Sequence, residues 1–367
     1  MPQKILFIMH MPPPVHGASV IGEYIHNSKI VNEAFDSIYI NPSASGYVSS
    51  IGKLSLGKIF FLFSFLRKII RTVYKENPAL CYLTPSTWDW GFYRDCLTVF
   101  ILKRLHVKII LHFHNKPKVG FGDKWYNKFL YRHFFNGTNY IFLDEILATT
   151  FNDYIDNKHL YLCPNGIQIA NNINTEYSHD GNLKFIFLSN LINDKGVSDL
   201  LDACKILNDN DLMFHCDFVG KSGDIDSHRL IELIKNKRLE DKVSYLGPKY
   251  NDEKNIVLAQ HEVLVFPTYY EGETFGLVLL EAMQMGLACI STYEGAIPHV
   301  VDDNVTGLLV EQRNTKELAA KMEYCINNRD EVKKMGQKGK EKFLKLYTKE
   351  IFEQNITNIL KDCINND

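Results

Sequence analysis

The sequence predicts an α/β chain of two tandem units, each a parallel sheet covered by helices on both faces. Three observations carry that expectation. The chain has 367 residues, more than one hydrophobic core of ordinary size uses, so two domains are expected. Short and almost wholly apolar runs recur along it, the pattern of strands buried on both faces. Longer stretches of helical character separate these runs, as the crossovers of a parallel sheet require.

In the first half the strand-like runs are "KILFIMH" (4–10), "ALCYLT" (79–84), "KIILHFH" (108–114) and "NYIFLDE" (139–145). The second half repeats the rhythm with "LKFIFLSN" (183–190), "FHCDFVG" (214–220), "KVSYLG" (242–247), "VLVFPT" (263–268) and "LACIST" (287–292). Between them, "CPNGIQIANNINTEYSHDGN" (163–182) is rich in Asn, Gly and turn formers and reads as a hinge. The expected domains are therefore 1–165 and 166–349, with a C-terminal helix at about 350–367 packing back onto the first. No repeat of solenoid period and no low-complexity tract interrupts the pattern.

Composition narrows the class. With 46% hydrophobic and 23% charged residues the chain is expected to be globular and soluble. Its longest strongly apolar run, "IFFLFSFL" (59–66), stops at Arg67 and Lys68, far short of the ~20 residues that a membrane-spanning helix needs. The N-terminus lacks the apolar length and small-residue cleavage site of a signal peptide, so a cytoplasmic protein is expected. Eight cysteines are scattered with no CxxC pair and no zinc-like His spacing, which suits reduced thiols in the core. The net charge of −2 hides an asymmetry. Residues 1–140 hold 17 Lys and Arg against 7 Asp and Glu, a balance of +10, and the remainder carries −12. A basic half of this kind suits an anionic partner.

In open α/β sheets ligands sit at the carboxyl ends of strands, so the loops there are the candidate sites. In "HMPPPVHGAS", prolines stiffen a turn and Gly17 opens a helix with Ser19 as its expected cap. This loop reads equally as an anion-binding turn or as a merely rigid one. "LHFHNKP" places His112 and His114 on one face of a strand end. Two histidines there, followed by Asn115 and Lys116, favour a polar site over packing, with metal binding the weaker version because no Cys or carboxylate is near. "LSNLINDKGVSDLL" offers Lys195, a point charge suited to phosphate, beside Gly196 and a helix that Ser198 is expected to cap. The fourth loop begins "EGETFGLVLLEAMQMG" (271–286). Here Thr274 is the expected helix cap, Gly286 the terminator, and the amides of Phe275, Gly276 and Leu277 the free donors at the tip. Glu273 stands at that tip, and Glu281, two turns on, is expected to be buried in an apolar run until a ligand claims it.

The Glu-x7-Glu of "ETFGLVLLE", taken with "CPNGI", "LSNLINDKG" and "GAIPHVVDDNVTGLLV", resembles the retaining glycosyltransferases of family 4. The resemblance covers most of the chain and is strongest over 160–320. It implies the GT-B architecture, two Rossmann-like domains whose parallel sheets face a central cleft. It implies Glu273 on the hydroxyls of the transferred sugar, Glu281 on the nucleotide ribose, and the amides of Phe275 to Leu277 on the sugar. Lys195 corresponds to the lysine on the donor diphosphate, His114 to the histidine near the reacting sugar, with His112 as fallback, and Gly17 to the glycine loop near the phosphates. Gly220 and Tyr245 fall on the donor side, with base recognition expected over 245–250, and His16 falls on the acceptor side with His112. The implied donor is a UDP- or GDP-sugar, and no cofactor or metal is expected. "GDIDS" contains the Asp224-x-Asp226 metal motif of a different glycosyltransferase fold, but its place in a loop of the second half argues against that use.

Two departures stand out. The family usually has Arg beside this lysine, where this chain reads Ser189-Asn190-Leu191. A neutral Asn190 cannot make the bidentate contact, which leaves a weaker clamp, compensation by Lys221 or Lys249, or a donor held differently. His299 replaces a commoner Glu. On the acceptor side, "GKIFFLFSFLRKIIRTVYK" (57–75) and "KPKVGFGDKWYNKFLYRHFF" (116–135) interleave aromatics with cations. They fit a surface lying on an anionic bilayer, or ordinary helices with charged outer faces. The expectation is a lipid-linked glycan acceptor in bacterial surface polysaccharide assembly, with the protein peripheral on the inner face of the membrane. Nucleic acid is not expected, since no recognition motif accompanies the charge. A sugar-nucleotide epimerase of the same fold and a non-catalytic binding protein are the rival readings.

Overall fold

The structure is a computed structural model that describes residues 2–13, 17–42, 56–170 and 181–366. Contacts divide it into two units, Met1–Asn165 with Lys349–Asp367, and Gly166–Thr348. Part of the expected hinge, 171–180, lies outside the described residues.

The strands of the first unit are β1 (Lys4–Ile8), β2 (Asp36–Ile40), β3 (Leu80–Leu83), β4 (Lys108–Phe113), β5 (Asn139–Phe142) and β6 (Leu160–Leu162). They form one parallel sheet in the order β2-β1-β3-β4-β5-β6. Its helices are α1 (Gly17–Asn27), α2 (Lys29–Ala34), α3 (Leu56–Glu76), α4 (Asp89–Arg104), α5 (Trp125–Phe135) and α6 (Glu145–Thr149). The second unit has β7 (Leu183–Leu188), β8 (Phe214–Val219), β9 (Val243–Tyr245), β10 (Val263–Phe266), β11 (Ala288–Thr292) and β12 (Gly307–Val310). These are again parallel, in the order β12-β11-β10-β7-β8-β9. Its helices are α7 (Val197–Asp209), α8 (Ser227–Asn236), α9 (Asn251–Ala259), α10 (Leu277–Met285), α11 (Ile297–Val300), α12 (Thr315–Asn327) and α13 (Arg329–Leu346). The last helix, α14 (Lys349–Asn365), belongs to the first unit.

Three strands escape the sequence pattern, and all three are sheet edges: β2, β6 and β12. β2 and β6 are largely half-exposed, so they lack the continuous apolar run that marks a buried strand. β12 is only four residues and opens on glycine.

One face of the first sheet is closed by α1, α2 and α14. Phe352, Ile356 and Leu360 of α14 join Ile5 and Phe7 of β1 and Ile21 and Ile25 of α1 in a single buried cluster. Each such side chain contributes about 1.5–3 kcal/mol when fully buried. Lys108 Nζ donates to the carbonyls of Cys363 (3.1 Å) and Asn366 (2.5 Å), a cation placed on the negative end of α14. The other face packs Phe113, Phe142, Phe151 and Phe135 as stacked and tilted rings under α5. Seven of the eight thiols are buried and Cys96 is half-buried. Among the described residues no helix is long and apolar enough to cross a membrane.

In the second sheet the chain starts at β7, moves out to β9, then returns to the other side of β7 at β10. The loops after β7 and β10 therefore leave the same sheet end side by side, which makes this the switch point where such sheets bind ligands.

Candidate functional site

The loop after β7 runs through a short 3-10 turn, Asn193–Lys195, into Gly196. Gly196 has φ +88°, and a Cβ on it would lie 2.4 Å from the carbonyl oxygen of Pro267. Only glycine allows that backbone to press against the loop after β10. The two loops are then stitched together: Tyr269 N–H donates to Asp194 O (2.8 Å) and Asn193 Nδ2 donates to the Tyr269 hydroxyl (3.1 Å).

That stitching brings Lys195 onto Glu273, 78 residues away in sequence. The ammonium donates to Glu273 Oε2, while Glu273 Oε1 accepts the Gly276 N–H at 3.1 Å. The Lys195 ammonium also lies 4.6 Å from the ring centre of Tyr270 and 5.4 Å from that of Phe266, so aromatic faces supplement the carboxylate. The side chains of Lys195 and Glu273 are 15% and 14% exposed, neither sealed from solvent nor freely solvated. A third loop, after β11, holds the segment from behind through Ala296 N–H to Thr274 O (2.8 Å).

Several local expectations need correction. The helix after Glu273 starts at Leu277, with Gly276 rather than Thr274 at the N-cap, and Thr274 is buried. The donors at the tip are thereby reduced, because the Gly276 amide is already taken by Glu273. Gly286 does close the helix in a left-handed conformation. α7 starts at Val197 with Gly196 as its N-cap, and Ser198 instead donates to Asn193 Oδ1 (2.5 Å). Ser19 lies inside α1 and is buried, so it is not a cap. Glu281 is not buried: its side chain is 21% exposed and accepts from Lys254 Nζ of α9 at 2.7 Å. The partner this carboxylate needs is a lysine of the protein itself. Lys254 carries no signal in the sequence beyond being one charge on a polar helix.

The donor-side glycine is built into the same corner. A Cβ on Gly220 would lie 1.7 Å from Ser189 O, so the backbones after β7 and β8 touch here. Tyr245 donates its hydroxyl to Gly220 O (2.9 Å), and Leu191 N–H donates to Lys221 O (2.8 Å). Asn190 and Lys221 are exposed, and Lys249 lies 4.0 Å from Glu253. Asp224 accepts Asn193 N–H (2.8 Å) and Asp226 caps α8 through Arg229 N–H (2.8 Å). Each aspartate of the Asp-x-Asp pair thus gives one oxygen to a loop or helix amide. Among the described residues no group of three or more His, Cys, Asp or Glu is placed to hold a metal ion. His299 is exposed on α11, and its carbonyl accepts from Lys342 Nζ (2.7 Å).

In the first unit, His112 and His114 do stand together at the end of β4, with ring centres 4.1 Å apart. Their settings differ. His112, expected on the acceptor side, is fully buried; its Nδ1 meets the Tyr82 hydroxyl at 2.6 Å and its ring stacks 6.4 Å from Phe352. It faces the core rather than solvent. Burial first, and the neighbouring His114 second, hold its imidazole well below the ordinary range and therefore neutral at pH 7. His114 is half-buried beside it. Gly17 is the exposed first residue of α1, and His16 lies outside the described residues.

Residues 169–342 match the family model of glycosyl transferases group 1. An uncharacterized glycosyltransferase of Methanocaldococcus jannaschii is 26% identical over 258 residues, 69% of this chain and 68% of that protein. The amylovoran biosynthesis glycosyltransferase AmsK of Erwinia amylovora is 30% identical over 142 residues, 38% of this chain and 34% of its own; the match thus spans only about a third of that relative. In structure, HepE of Anabaena, solved in complex with UDP, superposes with a TM-score of 0.74 at 15% identity, over 98% of this chain and 100% of that one. This likeness establishes the fold, GT-B, with its two Rossmann-like units.

Proposed function

We propose that the chain is a glycosyltransferase that moves a sugar from a nucleotide sugar to a hydroxyl of a lipid-linked glycan, with retained anomeric configuration. The observation that carries the reading is the Lys195–Glu273 pair at the switch point of the second sheet. When a diphosphate arrives, Lys195 exchanges its carboxylate partner for phosphate oxygens and neutralises the charge that develops on the leaving nucleotide. Glu273, released by Lys195 and still held through Oε1 by the Gly276 amide, accepts from hydroxyls of the sugar, with the Leu277 amide and the positive end of α10 beside it. Glu281 takes the ribose hydroxyls in place of Lys254. In this reading no metal is needed, because lysine and helix dipole supply the positive charge. His114 is the residue of the first unit assigned to the acceptor in this reading.

A uridine nucleotide is favoured by the UDP bound to HepE, and a surface polysaccharide by the amylovoran pathway named for AmsK. The basic first half, with its exposed aromatics, suits an acceptor presented on the inner face of an anionic membrane, and not a nucleic acid. The test is calorimetry with a panel of UDP- and GDP-sugars on the wild-type chain and on Glu281→Ala, followed by transfer to polyprenyl-diphosphate glycans. The reading expects one donor to bind, weakly in the variant, and a product whose anomeric configuration by NMR is that of the donor. An inverted product removes the retaining mechanism, and a free epimerised nucleotide sugar makes the protein an epimerase. Failure of every donor to bind removes the enzyme reading and leaves a binding protein.

A further inference from the structure

We infer that the first unit holds a bilayer phospholipid in the groove between α4 and α5, with one hydrocarbon chain along its apolar length and the anionic headgroup at its basic end. The groove has a volume of about 590 Å³, within the ~300–1,000 Å³ typical of small-molecule sites. Leu97 and Phe100 of α4 face Phe129 and Leu130 of α5 along it, and Arg104 and His133 stand at its end. Both helices connect one parallel strand to the next, so they run the same way, and their last turns lie together near the starts of β4 and β5. The groove is therefore polarised, apolar along its length and cationic at one end. Arg104 forms no ion pair among the described residues.

The surroundings match the chemistry of a membrane surface. α3 packs beside α4 and turns Phe60, 73% exposed, and Phe63 outward in its first turns, followed by Arg67, Lys68 and Arg71, none of them ion-paired among the described residues. Trp125, 80% exposed, opens α5 at that same end of the sheet. Along α3 the aromatics precede the cations, the order of hydrocarbon and phosphate across a bilayer surface, and beside Trp125 the Lys124 ammonium lies 5.9 Å from the ring centre of Tyr126, as at an interface. From Leu97 to Arg104 the helix rises about 10 Å, at 1.5 Å per residue, comparable to the ~5–10 Å that interfacial helices sink. The occupant is a bilayer lipid rather than the acceptor, because the cationic end lies at the starts of the strands, opposite the end that carries His114. The inference rests on the membrane part of the proposed function and not on its donor chemistry.

Lysophosphatidylglycerols of increasing chain length, kept below their micelle concentrations, would be titrated into the full chain, alongside flotation with phosphatidylglycerol-containing and pure phosphatidylcholine vesicles. Affinity should rise about fourfold per added methylene until the groove is full, from ~0.8 kcal/mol per buried CH₂. Leu97→Trp, which fills the groove from a partly exposed position, should abolish that dependence, and Arg104→Glu should weaken the whole series at least tenfold, both with donor binding unchanged. Affinity independent of chain length, or a Leu97→Trp variant identical to wild type, overturns the inference even where anionic vesicles still float the protein through α3. No flotation at all removes the membrane reading with it. A dimer that Leu97→Trp dissociates would make the groove a contact between copies and also overturn the lipid assignment.

Discussion

The carboxyl ends of the two sheets carry opposite kinds of polar chemistry. The second presents Lys195 and Glu273 as a charged pair at the edge of solvent; the first seals a neutral His112 under Phe352 and Tyr82. A partly solvated ion pair gains little stability from its own attraction, so exchanging one partner for a ligand's charge costs little. A buried imidazole has no such freedom, because charging it means paying desolvation without a counter-ion. One end therefore holds charges that can change partners, and the other holds a polar group that stays fixed and neutral.

The comparison breaks most easily at Lys195. Lys195→Met should lower kcat by ~10²–10³, the effect of deleting one charge-stabilising donor, while the thermal midpoint moves by no more than a few degrees. A large stability loss with unchanged kcat would make the pair structural. Next in size, Glu281→Ala should weaken donor binding by roughly 10–100-fold, from ~1.5–3 kcal/mol for a hydrogen bond to a charged group, with little change in kcat. Titration calorimetry and steady-state kinetics separate the two. Lys254→Ala tests the same contact from the other side: if Lys254 merely occupies Glu281 until the ribose arrives, donor affinity should hold or rise slightly.

Smaller effects sharpen the contrast through pH. His112 stays neutral in the folded state, whereas the unfolded chain takes up its proton near the ordinary value of 6.5. Its contribution is full above that pH and is lost as pH falls, by up to about 1.4 kcal/mol per pH unit. Hydrogen exchange of β3 and β4 amides should show this slope, and His112→Phe should flatten it. Asp217 of the second unit behaves differently. Burial raises its carboxyl, but hydrogen bonds from His215 and His261 outweigh this and hold it at about 2. Its contribution is complete above the ordinary 3.8 and disappears only as pH falls from there toward 2. Asp217→Asn should therefore change the profile of β8 only in strong acid; a change near pH 6 would contradict this account.

Much of the fold is legible in the chain because strands buried on both faces must be apolar throughout, as in "LKFIFL" and "KIILHF". β2, with four of its five residues not fully buried, has no such obligation and leaves no such trace. The candidate site was legible in its residue types, since Glu273, Lys195, Glu281 and the histidines all fall in or beside loops after strands. Their partners were not. Nothing in "NDEKNIVLA" singles out Lys254, and nothing in "LHFH" says that one histidine is sealed while the next is half-open.

What the sequence determined by itself is the alternation of buried strands and covering helices, and the kinds of charge set at strand ends, because burial and periodicity act residue by residue along the chain. Tertiary structure alone decided that Lys195 meets Glu273, that Lys254 holds Glu281, and that α14 returns past the whole second unit to close the first sheet. These depend on strand order, and strand order follows from which surfaces can be buried together, a condition that no local stretch of sequence expresses.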